Sequence, residues 1–137
     1  MITLEDYFGP WLGCPDQTPE RTANAEKLRE ACNALERMAR HDEVDFPINP
    51  KTHTQISGEQ YGGFRPQSCT IGASHSAHKD ALAVDVYDPA GYIDAWCMLS
   101  LDQLTKCGIY LEHPDSTPGW SHWSIRRPGS GVRVFFP

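Results

Sequence analysis

The segment Leu82-Ala83-Val84-Asp85-Val86-Tyr87 constrains this chain more than any other stretch. Its alternation marks a β-strand, with Val84 and Val86 on one face and Ala83, Asp85 and Tyr87 on the other. A carboxylate in the middle of so apolar a strand carries a heavy desolvation penalty. It has to be paired with a cation or bound to a metal. Any fold for this chain must therefore bring such a partner to Asp85.

Candidate partners stand on both sides. His78 lies seven residues earlier, at the end of an irregular loop that can fold back on the strand. His122 lies in Trp120-Ser121-His122-Trp123-Ser124. Strand parity there puts His122 and Ser124 on one face, and Ser121, Trp123 and Ile125 on the other. Two imidazoles and one carboxylate make a catalytic ligand set for zinc, with a position left open for water. Spacing alone keeps His75 as a rival ligand, three residues before His78. His41, His53 and His113 read as solvent-facing or supporting.

The rest of the chain reads as scaffold. Residues 1–17 form an irregular lead-in with Pro10, Gly13 and Pro15. Thr18-Pro19-Glu20 has the signature of a helix start: a capping Thr, Pro at the first helical position and an acid in the first turn. Ala25, Leu28, Cys32, Leu35 and Met38 follow in steps of three and four, which predicts one long helix ending near Arg40. A shorter helix is expected over Tyr92–Lys106, stopped by Cys107-Gly108. Strands are expected at 55–57, 63–65, Leu82–Tyr87, Ile109–Glu112, Ser121–Arg126 and Val132–Phe136. This pattern predicts an α+β fold with a mostly antiparallel sheet. With 137 residues, one domain is expected. Residues 1–46 would be its lead-in and scaffold helix, and 47–137 its metal-binding core.

Charge and composition exclude several function classes. The net charge of −6 argues against binding a phosphate backbone or docking on an anionic membrane. No apolar run approaches the length of a membrane span. Met1–Gly13 carries Glu5 and Asp6 and no basic region, so no secretory signal peptide is visible. Five widely spaced cysteines without a C-x-x-C pair point to free buried thiols, not a disulfide framework.

Ser76-x-His78-x-x-Ala81-x-Ala83-x-Asp85 is similar to the S-x-H-x-x-G-x-A-x-D signature of the zinc D-alanyl-D-alanine carboxypeptidase family. That family includes the D,D-dipeptidases of vancomycin resistance and the L-alanyl-D-glutamate endopeptidases of phage endolysins. It shares a small α+β metal-binding core with the sonic hedgehog domain. Gly62-Gly63-Phe64-Arg65 resembles its S-G-[YF]-R segment, and Trp120-Ser121-His122 resembles its C-terminal motif. The resemblance covers roughly residues 50–137, and the tail from Gly129 to Pro137 looks like the ending of small phage and prophage members.

The resemblance implies that His78, Asp85 and His122 ligate Zn2+ and that Arg65 binds substrate and stabilises the transition state. It implies a peptidoglycan stem peptide as substrate. It also implies a protein made in a bacterial cytoplasm and acting on the cell wall after release or within a virion; the sequence does not set the oligomeric state, and a monomer is the default expectation. Ser76 is expected to orient the metal loop beside the substrate, and Trp120 to serve as substrate platform or as core. Two positions depart from the pattern. Ala81 replaces the signature glycine, and Gly119 stands where many members carry the catalytic carboxylate. Glu112 is the first candidate for that base and Asp115 the second. The competing expectation is a non-catalytic, zinc-containing module that binds the cell wall or serves as a structural part of a virion.

Overall fold

The computed structural model describes residues 1–137. Its main elements are four helices and four strands, in the order α1 (Leu4–Phe8), α2 (Pro19–His41), β1 (Ala83–Tyr87), α3 (Tyr92–Leu99), α4 (Leu101–Cys107), β2 (Tyr110–Glu112), β3 (Trp120–Ser124) and β4 (Val134–Phe135). The strands form one mixed sheet in the order β1-β3-β2-β4. β3 pairs antiparallel with β1 and with β2, while β4 runs parallel to β2. The α+β class is as expected.

Helix α2 starts where its cap places it. The Thr18 hydroxyl accepts the Arg21 N–H at 3.2 Å, and Pro19 occupies the first helical position. Arg40 and His41 in the last turn suit the negative end of the helix dipole. Ala25, Leu28, Cys32, Leu35 and Ala39 form its buried stripe. Leu28 and Leu35 each contribute roughly 1.5–3 kcal/mol by burial. Ala39 takes the buried place expected of Met38, which is half-buried.

The sheet separates its two faces by parity. Val84, Val86, Leu111 and Trp123 turn into the core with Phe8, Phe64, Ile93, Leu104 and Ile109. The opposite face carries Asp85, His122 and Glu112 in neighbouring strands. The core thus fixes the sheet from one side and presents the polar row on the other.

Three expectations fail, each for a local reason. Residues 1–17 are not irregular throughout, because a capping box starts α1: Thr3 Oγ1 accepts the Asp6 N–H and Asp6 Oδ2 accepts the Thr3 N–H. Residues 55–57 and 63–65 are not strands. Ile56 forms one isolated bridge to Val86, and Asp85 donates its N–H to Gly62 O at 2.7 Å, so an irregular loop covers the β1 edge. Finally, the helix over 92–106 breaks at Ser100, which has φ −126° and ψ 43°. Its carbonyl accepts Gln103 and Leu104 N–H and begins α4. Serine competes for backbone hydrogen bonds and favours such boundaries over helix interiors.

Asp88 and Asp94 make a buried acidic pair at the start of α3. Asp88 accepts the Ile93 and Asp94 N–H groups with its two oxygens, at 3.1 and 2.9 Å. Asp94 is 4% exposed, and its Oδ1 has no partner. Burial pushes its carboxyl up to about 6; Ser121 and Thr117 oppose the rise, and the Asp88 charge adds to it. A raised carboxyl pKa contributes stability below the unfolded value near 4, and that contribution is lost as pH rises through about 6. Asp94→Asn is therefore expected to be more stable than the wild type at pH 7, by about 1–2 kcal/mol, and to lose that advantage at pH 4. Denaturant titrations at the two pH values measure it, and an equal difference at both contradicts it.

Candidate metal centre

His78 is presented by a short 3-10 turn, Ala77–Asp80, just before β1. The Ser76 hydroxyl accepts the His78 N–H at 3.3 Å, which fixes the turn's start and gives Ser76 the orienting role expected of it. Ala81 closes the turn in the left-handed region at φ 58°. Glycine adopts that conformation without strain, whereas an alanine there carries a cost. Here the alanine methyl is fully buried.

The His78 ring is oriented by main chain. Its Nδ1 lies 2.7 Å from Gly63 O. A carbonyl only accepts, so Nδ1 carries the proton and Nε2 presents a lone pair. The Gly62-Gly63 pair makes this approach possible, because a Cβ at Gly63 would stand 2.0 Å from the Tyr7 carbonyl oxygen. The His78 Nε2 atom is buried without a hydrogen-bond partner. Asp85 Oδ1 lies 3.3 Å from it. Two electron-rich atoms facing each other in a buried site call for a cation between them.

His122 completes the arrangement through strand register. It lies directly across from Asp85 in the β1–β3 ladder, and its Nδ1 is 2.7 Å from Asp85 Oδ1. His78, Asp85 and His122 each offer a ligand atom, all within 4.8 Å of one another. Donors bound at about 2.1 Å around a tetrahedral ion stand roughly 3.4 Å apart, so the set fits a metal ion.

The electrostatics agree. Burial pushes the His78 imidazole below its ordinary range against the pull of Asp85, a shift in the direction of the unprotonated ring that a metal ligand requires. Burial raises the Asp85 carboxyl, but the His78 and His122 partners together outweigh it and hold the group well below the usual range. Arg65 adds a third contact, with its Nη2 3.3 Å from Asp85 Oδ2. Its Nε–H donates to Tyr61 O at 2.7 Å and its Nη1 to Ile71 O at 3.3 Å.

The other expected residues divide sharply. Glu112 stands beside the set, with Oε2 3.9 Å from His122 Nε2, and burial raises its carboxyl against the pull of His122 and Arg65. Asp115 points away, its side chain 85% exposed. Gly119 takes φ +93° and brings no side chain. His41, His53 and His75 are exposed, and His113 stacks on Phe136. Trp120 lines the cleft over the metal set, whereas Trp123 is core.

That cleft is about 460 Å³ in volume and also contains Arg65, Ser76, Ser124 and Arg126. Arg126 was not among the residues expected from sequence. Its signal was parity, since it continues the alternation of His122 and Ser124 past the strand end. The five cysteines are free, and no helix is long and apolar enough to cross a membrane. No family model, no curated protein and no solved structure matches this chain.

His78→Ala is expected to weaken binding of a divalent transition metal by more than about 100-fold, beyond the effect typical of losing a supporting hydrogen bond. His75→Ala is expected to leave it intact. Metal titration followed by elemental analysis separates the two, and a one-to-one complex surviving in His78→Ala contradicts the assignment.

Proposed function

We propose that this chain is a zinc-dependent peptidase that hydrolyses peptide bonds in bacterial peptidoglycan stem peptides, as a D,D-carboxypeptidase or endopeptidase. The reading places it with the zinc D-alanyl-D-alanine carboxypeptidases and their hedgehog-type core, as a phage or prophage lytic protein. The observation that carries the proposal is the unpartnered His78 Nε2, turned toward Asp85 and His122 beside Glu112. Two nitrogens and one carboxylate oxygen suit zinc, and three protein ligands leave a position for water.

When bound, zinc supplies a Lewis acid that polarises a carbonyl and brings the pKa of water toward neutrality. Glu112 Oε2 takes the proton of the attacking water and returns it to the leaving amine. Its half-buried carboxyl, raised above the ordinary range, gains basicity for that step. The Arg65 guanidinium is held by Tyr61 O and Ile71 O, so it meets developing negative charge without first reorganising. Trp120 forms an apolar wall of the cleft, against which a peptide can pack.

Gly119 favours a second reading, a zinc-containing wall-binding or virion module without a base. The position of Glu112 favours the enzyme, because it offers a carboxylate from β2 where Gly119 offers none. Muropeptides incubated with the zinc-loaded protein and followed by mass spectrometry test the choice. The wild type is expected to cleave a peptide bond. Glu112→Gln is expected to retain zinc and to lower kcat by roughly 10²–10⁴-fold. Unchanged turnover in that variant removes Glu112 as the base, and a zinc-loaded wild type that yields no product supports the module.

A further inference from the structure

Two guanidinium groups line the metal cleft, and the protein uses them differently. Arg65 is 12% exposed, and each of its three nitrogens makes one contact, to Tyr61 O, Ile71 O and Asp85 Oδ2, which leaves two of its five N–H donors beside the metal set. Its fork is therefore tied to the metal set. Arg126 is 44% exposed. Its Nη1 donates to His75 O at 2.9 Å, with Asp80 Oδ2 3.8 Å away. Its backbone N–H donates to Ser124 Oγ at 3.0 Å, which pins the base of the side chain at the end of β3. Nε and Nη2 meet no protein acceptor. These two nitrogens form one edge of a planar guanidinium, the edge that takes a carboxylate with two parallel hydrogen bonds.

We propose that Arg126 is the carboxylate-binding residue of the cleft, taking an anionic peptide through its free Nε–Nη2 edge while Arg65 stays with the metal set. The inference rests on the peptidase reading for its ligand class. The other ionised groups in the cleft sharpen the choice. Asp85 and Glu112 repel an anion, and the Arg65 fork already faces Asp85. An incoming carboxylate is directed to the one guanidinium with an open edge. Arg126 is thus a specificity-determining residue, not a catalytic one. It fixes where the peptide lies relative to the metal and favours free acids over amides.

A stem peptide offers two such groups, its C-terminal carboxylate and the α-carboxylate of a γ-linked D-glutamate. Three peptides separate them: the free acid, its C-terminal carboxamide, and the D-isoglutamine form. Dissociation constants are measured by calorimetry on the zinc-loaded protein in a Glu112→Gln background, and KM and kcat in the Glu112 protein. Arg126→Gln is expected to weaken the free acid by about tenfold or more. It should leave unchanged the affinity for the peptide whose recognised carboxylate is amidated, with zinc content preserved. Arg126→Lys, which keeps the charge without the fork, should fall between. Equal weakening of all three peptides by Arg126→Gln overturns the proposal, as does no weakening of any. If peptides bind through Arg126 but the zinc-loaded wild type cleaves none, the peptidase reading falls and the subsite stands. If they are cleaved with no dependence on Arg126, the subsite falls and the peptidase reading stands.

Discussion

The Asp85 carboxylate is the group around which the rest of this structure is arranged. It is 8% exposed in the middle of the edge strand β1, and Arg65, His78 and His122 each approach it to 3.3 Å or less. Each partner comes from a different piece of chain: an edge loop, a 3-10 turn and a neighbouring strand. Removing one partner from a buried ionic cluster leaves charge uncompensated, a loss of roughly 3–5 kcal/mol. Through Arg65 and His78 the cluster ties the covering loop and the turn to the strands. Tyr7 reinforces the same tie, donating its hydroxyl to Ala83 O and accepting the Phe64 N–H at its carbonyl.

Register converts this cluster into a site. β3 pairs with β1 so that His122 faces Asp85 and Trp123 faces Val84, and with β2 so that Leu111 faces Trp123. A slip of one residue would turn His122 into the core and Trp123 into the cleft. The apolar face thus specifies the polar one. Trp123, edge-on to Phe46 at 6.0 Å, anchors the register that sets Asp85, His122 and Glu112 side by side. The base candidate and two of the candidate metal donors share one sheet, and His78 arrives on a turn held by Ser76 and Gly63.

Much of this was legible in single residues. Asp85 announced itself as a polar residue in an apolar strand, and strand parity placed His122 on its face. The α2 stripe followed from its spacing and its cap. Other features depend on backbone that sequence displays poorly. The partner of His78 Nδ1 is the carbonyl of Gly63, a residue whose lack of a side chain lets the loop touch α1 at Tyr7. Residues 55–57 meet the β1 edge through a single isolated bridge, Ile56 to Val86, although their composition suits a strand. α1 carried a readable Thr3-x-x-Asp6 box, but five helical residues give too little periodicity to stand out. Arg126 lay one parity step past a strand end, and its free edge emerges from what its neighbours leave unbonded.

X-ray absorption at the zinc edge of the loaded protein tests the central claim most directly. Convergence of His78, Asp85 and His122 predicts light-atom donors only, nitrogen at about 2.0–2.1 Å and oxygen at about 2.0–2.2 Å, with imidazole scattering from two rings that falls to one in His122→Ala. A sulfur donor at about 2.3 Å, or a shell without imidazole, would place the metal elsewhere and contradict the account.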